Sequence, residues 1–327
     1  MTQPRIVVAG AGAVGCFVGG LLAAAGREVV LLGRGWLRDE VAAHGLTCTD
    51  FSGLAVTAAP EVSDDPAVLA RADIVLVCVK SGATGEMARL IAEQAPMQAV
   101  VVSLQNGVRN VDVLRRALPG RDVRGGMVGF NVVGLGEGRF HRSTSGEIVV
   151  AFGDGDLAET LEAPGLVVEE VVGIEAVQRG KLILNLTNAV NALSGLSLHD
   201  MLLVRGWRRV MAAQMSEGLA VFRAAGLEVA VPAKAPGWAI PWILRLPTGL
   251  FRRIAAPMLV VDPQARTSMV ADLTAGRRTE VDEFQGEIVR LGGVHGLETP
   301  VNARVMIAIG EAEGGRNRVW TPEDLLT

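Results

Sequence analysis

The chain has 327 residues, of which half are hydrophobic and a fifth are charged, so it can bury the cores of about two domains and is not a disordered chain. Its 31 basic and 35 acidic residues give a net charge of −4, which argues against a nucleic-acid partner. Tyrosine is absent, which excludes mechanisms that need a catalytic tyrosine. Cys16, Cys48 and Cys78 form no Cys-x-x-Cys pair, which indicates a reducing cytoplasm and neither a disulfide framework nor a structural zinc site.

Short apolar runs alternate with helical patterns in the first half of the chain. Continuous apolar runs are typical of parallel strands that are buried on both faces, and their alternation with helices predicts βαβ units. A helix is predicted at Val14–Ala25. Strands are predicted at Arg5–Ala9, Glu28–Leu32, Ile74–Val79, Ala99–Leu104, Gly125–Val133 and Glu147–Phe152.

Strand-like runs nearly vanish after about residue 170, and long amphipathic patterns replace them. Helices are predicted at Glu175–Leu193, Leu203–Ala225, Arg266–Gly292 and Thr299–Glu313. We therefore expect two domains, an α/β domain over residues 1–170 and an all-helical domain over residues 171–327.

Two apolar stretches could be taken for membrane or targeting segments. Arg5–Gly26 starts with a charge as a signal peptide does, but it carries a regular set of glycines that a signal has no need of. Gly237–Val261 is interrupted by several prolines and arginines, whereas a spanning helix needs about 20 nearly uninterrupted apolar residues. We expect a cytoplasmic protein with no membrane partner.

A glycine motif follows the first predicted strand and opens the first predicted helix. Gly10 would form the tight turn, Gly12 would let the backbone approach a pyrophosphate, and Gly15 would let helix and strand pack closely. The N–H groups at the helix start, including those of Ala13 and Val14, would hold the phosphates. The context predicts a doubly wound parallel sheet of the Rossmann type that binds a dinucleotide; a glycine-rich turn without a ligand is the alternative.

The end of the second predicted strand indicates which dinucleotide binds. Sites specific for NAD place an aspartate or glutamate there, whereas this chain has Leu32-Gly33-Arg34. The guanidinium of Arg34 suits a 2′-phosphate, and Arg38 is a second candidate, so the sequence predicts NADP (NADPH). The alternative is that Arg34 is a solvated surface charge.

Polar residues end the next two predicted strands. Lys80 ends one strand, and Gln105-Asn106-Gly107 ends the other. Ligands of open α/β sheets bind at the carboxyl ends of strands, so both ends should face the crevice of the Gly10 turn. A solvated lysine and a simple Asn-Gly turn are the alternatives.

The first helix of the second domain carries a narrow polar stripe, formed by Lys181, Asn185 and Asn188 at intervals of four and three residues. Burying the stripe in a core would cost about 1–3 kcal/mol for each unpaired group, so it should face a cleft. A hydrogen-bonded structural helix is the alternative. A later block also has helical spacing, but spacing alone does not single out Ser268 or Glu280 there.

The four histidines lie beside no cluster of cysteine or carboxylate residues, so we predict no metal site.

The order of these motifs resembles that of the ketopantoate reductase (2-dehydropantoate 2-reductase) family over nearly the whole chain. The matching residues are Gly10, Gly12 and Gly15, Lys80, Asn106-Gly107, Lys181 with Asn185, Ser268 with Asp272, Thr279-Glu280-Val281-Asp282, and residues 296–302. The resemblance implies reduction of a 2-oxo acid to a 2-hydroxy acid by NADPH. The substrate it implies is ketopantoate, in pantothenate and coenzyme A biosynthesis.

The resemblance also implies roles for individual residues. Lys181 would be the general acid that protonates the oxo oxygen. Glu280 would bind the hydroxyl end of the substrate and help to position Lys181. Asn185 would hold the substrate, Ser268 its carboxylate, and Lys80 and Asn106 would line the cofactor–substrate cleft.

The chain departs from the family pattern at three places. Ala189 and Ala265 stand where the family often has asparagine, and Asn188 is the candidate substitute for the first. The stretch from Pro232 to Pro263 is longer and more apolar, and would be a lid, a surface that binds a second copy of the chain, or a pocket wall. Two alternatives therefore stay open: a relative that reduces a different oxo acid or ketone in a specialised pathway, and a non-catalytic NADPH sensor.

Overall fold

A computed structural model of the chain describes residues 3–233, 235–256, 267–316 and 318–327. The chain divides into two compact units, Met1–Glu175 and Ala176–Thr327. The first contains two β-sheets with helices, and the described elements of the second are helices. The predicted fold class is therefore confirmed. Ala265, Arg266 and the part of the apolar segment beyond residue 256 lie outside the described residues.

The first unit carries all the strands that the structure describes. They are β1 (Arg5–Ala9), β2 (Glu28–Leu32), β3 (Leu46–Asp50), β4 (Ala55–Ala58), β5 (Glu61–Ser63), β6 (Ile74–Val77), β7 (Val100–Ser103), β8 (Val123–Val128), β9 (Val132–Gly136), β10 (Arg139–Arg142), β11 (Ile148–Ala151) and β12 (Val168–Val171). Its described helices are α1 (Ala13–Ala24), α2 (Gly35–His44), α3 (Thr84–Gln94), α4 (Asn110–Ala117) and α5 (Leu157–Leu161).

The main sheet has the order β12-β11-β8-β7-β6-β1-β2-β5. The six neighbouring strands β8, β7, β6, β1, β2 and β5 run parallel to one another. Strand β11 is antiparallel to β8. The chain leaves β1 in one direction to form β2 and later returns to form β6 on its other side. The carboxyl ends of β1 and β6 therefore flank the point at which open α/β sheets bind their ligands.

Strand β1 shows why its sequence is a continuous apolar run. Ile6 and Val8 belong to one buried cluster, and Val7 and Ala9 belong to another. Successive side chains of a strand point to opposite faces, so both faces of the sheet are covered.

The predicted strand Gly125–Val133 is wrong as a single element. Strand β8 ends at Val128, and β9 begins at Val132 in a separate four-stranded sheet of order β4-β3-β10-β9. At the break, a Cβ on Gly129 would lie 2.7 Å from the carbonyl oxygen of Glu147, so only glycine fits this turn. The small sheet was not predicted, because its strands are short and many of their residues are partly exposed, so they show no continuous apolar run.

An ion pair between the buried Asp50 and the half-buried Arg142 joins β3 to β10 in the small sheet. Asp50 also accepts hydrogen bonds from the hydroxyl and the backbone N–H of Ser52, at 2.7 and 2.8 Å. The Arg142 guanidinium lies 5.4 Å from the ring centre of Phe130. Burial alone would raise the pKa of Asp50, but hydrogen bonds from Ser52 and Arg142 outweigh burial and hold that pKa well below its usual value.

We expect Asp50→Asn to lower the free energy of unfolding at neutral pH by about 3 kcal/mol, because the half-buried Arg142 would lose its counter-charge. A depressed folded-state pKa stabilises the protein above the unfolded-state pKa, near ~4, and this stabilisation is lost as the pH falls below that value. In urea denaturation, the difference between variant and wild type should shrink from about pH 5 to pH 3. Glu93→Gln, which removes an exposed ion pair with Arg89, is the control; an equal loss in both variants would contradict this account.

Helices make up the described part of the second unit. They are α6 (Ile174–Ser194), which starts at the end of the first unit, α7 (Leu198–Leu203), α8 (Arg205–Ala224), α9 (Ile240–Arg245), α10 (Thr248–Ile254), α11 (Ser268–Thr274), α12 (Val281–Val294), α13 (Pro300–Glu313) and α14 (Pro322–Leu326). The prediction of one helix over Arg266–Gly292 is wrong, because α11 ends before Gly276, whose φ is +62°. None of the helices that the structure describes has the length and apolar character needed to cross a membrane.

A fully buried arginine, Arg208, fixes the described part of the apolar segment to α8. Its guanidinium donates to the carbonyl oxygens of Leu244 at 3.0 Å and Leu246 at 2.9 Å, and lies 4.2 Å from the ring centre of Phe251. Trp242 of the same segment is 68% exposed, so the segment is anchored on one side and leaves apolar surface on the other.

Candidate cofactor and active site

The glycine-rich turn connects β1 to α1, and two of its glycines are required by the protein itself. Gly10 has φ +108°, and a Cβ there would lie 2.5 Å from the backbone nitrogen of Val79, just after β6. A Cβ on Gly15 would lie 2.4 Å from the carbonyl oxygen of Gly10. The turn therefore packs closely against its own helix and against the end of the neighbouring strand.

Packing within the protein does not require a glycine at position 12. A Cβ at this position would meet no atom within 4 Å, and its φ of −85° is open to any residue. Gly12 is also the N-cap of α1, a position where serine or aspartate usually accepts hydrogen bonds from the first-turn N–H groups. No side chain caps α1 in the described structure, so these N–H groups can bind an anion, and the turn fits a dinucleotide diphosphate.

The end of β2 carries Arg34, which is exposed and makes no ion pair with a described residue. Arg38, one turn into α2, pairs instead with Asp64 at 3.3 Å and with Asp39 at 3.4 Å. Asp64 follows the neighbouring strand β5, and a Cβ on Gly35 would lie 3.1 Å from its carboxylate. This carboxylate was not predictable from the sequence, because β5 reaches the end of β2 only through the pairing of the sheet.

The ends of β6 and β7 lie side by side, since Val77 pairs with Ser103 in the parallel register. Lys80 follows β6, directly after the Val79 that contacts the Gly10 turn, and Asn106 follows β7. The structure thus brings Lys80, Asn106 and the glycine-rich turn to one edge of the sheet.

The polar stripe of α6 is present. Lys181 and Asn188 are half-buried and Asn185 is buried, while Ile183 and Leu186 between them are fully buried. Burial lowers the pKa of Lys181 from 10.5 to about 8.

Gly180, which the sequence analysis did not single out, marks a close backbone crossing next to Lys181. Gly180 precedes Lys181 in the interior of α6, and a Cβ there would lie 2.0 Å from the carbonyl oxygen of Ala230. The N–H of Ala230 donates to the carbonyl of Ala176 at 2.9 Å, so the chain after α8 crosses α6 at this point. A glycine inside a strong helix pattern, which costs about 1 kcal/mol relative to alanine, is the signal that could have revealed the crossing.

Thr267 fixes the start of α11 against α6. Its hydroxyl donates to the carbonyl of Asn188 at 3.2 Å, and its N–H donates to the side-chain oxygen of Asn191 at 3.3 Å. This anchor brings the exposed Ser268 close to the polar stripe. Ala189 is fully buried, so the residue eight positions after Lys181 faces the core, and Asn188 is the half-buried neighbour.

Glu280 is the half-buried N-cap residue of α12. The turn before it is held by Glu313 of α13, which accepts hydrogen bonds from both the N–H and the hydroxyl of Thr279 at 2.7 Å. Asp272, one turn into α11, is buried and pairs with Arg277 at 3.2 Å.

No group of three or more histidine, cysteine or carboxylate residues is placed to hold a metal ion in the described parts of the chain. The three cysteines are free thiols, and burial raises the pKa of Cys48 and Cys78 to about 12.

A doubly wound sheet with a glycine-rich turn at its switch point, followed by a helical unit, defines a class of oxidoreductases built from a dinucleotide-binding part and a helical part. Residues 6–155 match the family described as ketopantoate reductase PanE/ApbA, and residues 173–313 match its C-terminal part. The chain therefore belongs to the ketopantoate reductase family, a family of enzymes that act on CH–OH groups, and the resemblance seen in its motifs is confirmed.

Individual relatives agree with this assignment. A 2-dehydropantoate 2-reductase of Halobacterium salinarum is 29% identical over 91% of this chain and 95% of its own length. The crystal structure of a PanE/ApbA family ketopantoate reductase from Ralstonia eutropha JMP134 is 32% identical, covers 96% of this chain and 100% of that chain, and has a TM-score of 0.81.

A more distant structure shares the fold. D-mandelate dehydrogenase in complex with NADH and anilino(oxo)acetate is 22% identical, covers 95% of this chain and 99% of that chain, and has a TM-score of 0.78. This likeness shows the fold alone, and that protein binds NADH.

Proposed function

We propose that this protein uses NADPH to reduce a 2-oxo acid to a 2-hydroxy acid, and that its substrate is 2-dehydropantoate (ketopantoate), an intermediate of pantothenate and coenzyme A synthesis. The observation that carries the proposal is the half-buried Lys181, with a pKa lowered to about 8, one helical turn before the buried Asn185. Family membership supports the reaction class, and the name of the Halobacterium relative supports the substrate. The first unit would bind the cofactor, and the second would bind the substrate.

The glycine-rich turn would hold the diphosphate of NADPH. Gly12 leaves space for it, and the N–H groups of Ala13, Val14 and Gly15 would donate to its oxygens. NADPH supplies a hydride to the carbonyl carbon when it is bound. Lys80 and Asn106 would contact the cofactor from the neighbouring strand ends.

Lys181 would act as the general acid. Negative charge develops on the carbonyl oxygen as the carbon is reduced, and a nearby ammonium stabilises this charge and donates its proton. With a pKa of about 8, Lys181 is mostly protonated at neutral pH, yet it is a stronger acid than a lysine with the ordinary pKa of 10.5. The burial of Lys181 therefore makes it a better proton donor while it keeps its positive charge at neutral pH.

The remaining side chains would bind the substrate. Asn185 and Asn188 lie on the face of α6 that carries Lys181, and the Thr267 anchor brings Ser268 beside them. Ser268 would hold the carboxylate. Glu280 would bind the hydroxyl end of the substrate and help to position Lys181.

Arg34 should select NADPH over NADH, because its guanidinium can bind the 2′-phosphate that only NADPH carries. We expect Arg34→Ala to raise KM for NADPH by about thirtyfold and to change KM for NADH little, since a charge-assisted hydrogen bond contributes about 1.5–3 kcal/mol. Arg38→Ala is the matched control, with a smaller effect, because Asp64 and Asp39 already engage Arg38. Equal changes for both nucleotides would contradict the selective role of Arg34.

The proposal as a whole is tested by oxidation of NADPH at 340 nm in the presence of a panel of 2-oxo acids. The panel should include ketopantoate, 2-oxoisovalerate, pyruvate and phenylglyoxylate. Turnover with ketopantoate as the best substrate would support the assignment. NADPH binding without turnover of any member would instead indicate a non-catalytic sensor.

In the alternative hypothesis, the protein catalyses the same reaction but its substrate is a different 2-oxo acid. It is favoured by the fully buried Ala189, which places no amide at a position where the family often has asparagine. Preference for another member of the panel over ketopantoate would establish it.

A further inference from the structure

A chain of buried hydrogen bonds links the loop after β6 to the loop after β7. It starts at Gln105, whose side-chain nitrogen donates to the carbonyl of Val79 at 2.8 Å and to the hydroxyl of Thr84 at 2.7 Å. The side-chain oxygen of Gln105 accepts from the hydroxyl of Ser103 at 3.1 Å. Gln105 itself belongs to the loop after β7, so its amide ties this loop to the loop after β6 and to the start of α3.

The chain continues through Thr84 to Asn110. The Thr84 hydroxyl donates to the side-chain oxygen of Asn110 at 2.8 Å. The Asn110 nitrogen then donates to the Ser81 hydroxyl at 2.9 Å and to the carbonyl of Asn106 at 2.6 Å. Each donor has an acceptor, so the orientation of both amides and of the Thr84 hydroxyl is fixed.

The burial of this network makes it sensitive to single changes. Thr84, Asn110 and Gln105 are 1%, 4% and 7% exposed, so water cannot replace a lost partner. An unpaired buried group is costly, and neighbouring bonds in such a network strengthen one another. The network therefore holds the two loops in the arrangement that the structure shows.

The two loops carry Lys80 and Asn106, the residues proposed to contact the cofactor. The network ends on the carbonyl of Asn106 itself, and its Ser81 branch directly follows Lys80. Gly107, with φ +86°, completes the second loop. Because the backbone of both loops is fixed, the Cα positions of Lys80 and Asn106 are set before the cofactor binds, and such preorganisation strengthens binding.

We propose that Thr84 and Asn110 are positioning residues, which hold Lys80 and Asn106 in the geometry that binds NADPH. This inference rests on the proposed function. Thr84 is the central link, because its hydroxyl accepts from Gln105 and donates to Asn110.

The experiment compares Thr84→Val, which keeps the shape and removes the hydroxyl, with Thr84→Ser, which keeps the hydroxyl. The Kd for NADPH is measured by nucleotide fluorescence, kcat/KM by NADPH oxidation, and stability by urea denaturation. We expect Thr84→Val to weaken NADPH binding about tenfold and Thr84→Ser to stay within about twofold of wild type. Asn110→Asp, which places an oxygen against the Asn106 carbonyl, is the second variant and should also weaken binding about tenfold.

Arg121→Ala is the matched structural control. Arg121 donates to the carbonyls of Pro96 at 2.5 Å and Ala95 at 2.9 Å, at the far end of the helix that Thr84 begins. It should lower stability and leave the Kd for NADPH unchanged.

The outcomes separate the two proposals. If the Thr84→Val protein loses stability as Arg121→Ala does but binds NADPH as tightly as wild type, the network is only structural and the positioning role is overturned. Failure of the wild-type protein to bind NADPH would overturn the proposed function, and this inference with it.

Discussion

Lys181→Met should lower kcat for 2-oxo acid reduction by about a thousandfold. Methionine fills the half-buried site on α6 without a charge or a proton, so the charge on the carbonyl oxygen would lose both its stabilising ammonium and its proton donor. The cofactor turn lies in the first unit, and the Kd for NADPH should stay near the wild-type value. Steady-state kinetics and fluorescence titration measure the two effects separately.

Lys181→Arg separates the charge from the proton. Arginine keeps a positive charge, but with a pKa above about 12 it does not release a proton at neutral pH. If proton donation is the role of Lys181, Lys181→Arg should remain at least about a hundredfold slower than wild type. A Lys181→Met enzyme that is folded and keeps more than a tenth of the wild-type kcat would contradict the acid role.

Gly12→Asp should abolish NADPH binding without harming the fold. A Cβ at Gly12 would meet no atom within 4 Å, and aspartate is a favoured N-cap residue, so the free energy of unfolding should equal or exceed that of wild type. The carboxylate would occupy the N–H groups of the first turn of α1 and repel the diphosphate. We expect a loss of affinity of at least about a hundredfold, measured by fluorescence titration.

Two further variants show whether Gly12→Asp acts by repelling the diphosphate or by disturbing the fold. Gly12→Asn has the same size and capping ability without the charge, so it should weaken NADPH binding less than Gly12→Asp does. Gly10→Ala should destabilise the protein instead, because its Cβ would lie 2.5 Å from the backbone of Val79. NADPH binding by a Gly12→Asp protein within threefold of wild type would place the diphosphate elsewhere.

Features set by neighbours in the sequence were predictable. Buried parallel strands need continuous apolar runs, so β1 and β2 were predicted with their observed bounds. Spacings of four and three residues place side chains on one face of a helix, so the stripe from Lys181 to Asn188 was visible in the sequence. These patterns led to the correct fold class and family.

Features set by distant partners were not predictable. Asp64 reaches the end of β2 only through the strand order, and Glu313 holds the turn before Glu280 from a different helix. Gly276 ends α11 inside a stretch whose polar and apolar periodicity continues on both sides. Hydrogen bonds between residues far apart in the chain leave no periodic trace, so the detailed geometry of the site required the structure.

The most direct test of the central claim is the pH dependence of kcat/KM for NADPH-dependent reduction of ketopantoate by the wild-type enzyme. Because burial lowers the pKa of Lys181 to about 8 and the ammonium form is the active acid, kcat/KM should be constant at lower pH and fall about tenfold per pH unit above 8. A profile that stays flat to about pH 9.5, or the absence of NADPH oxidation, would contradict the claim.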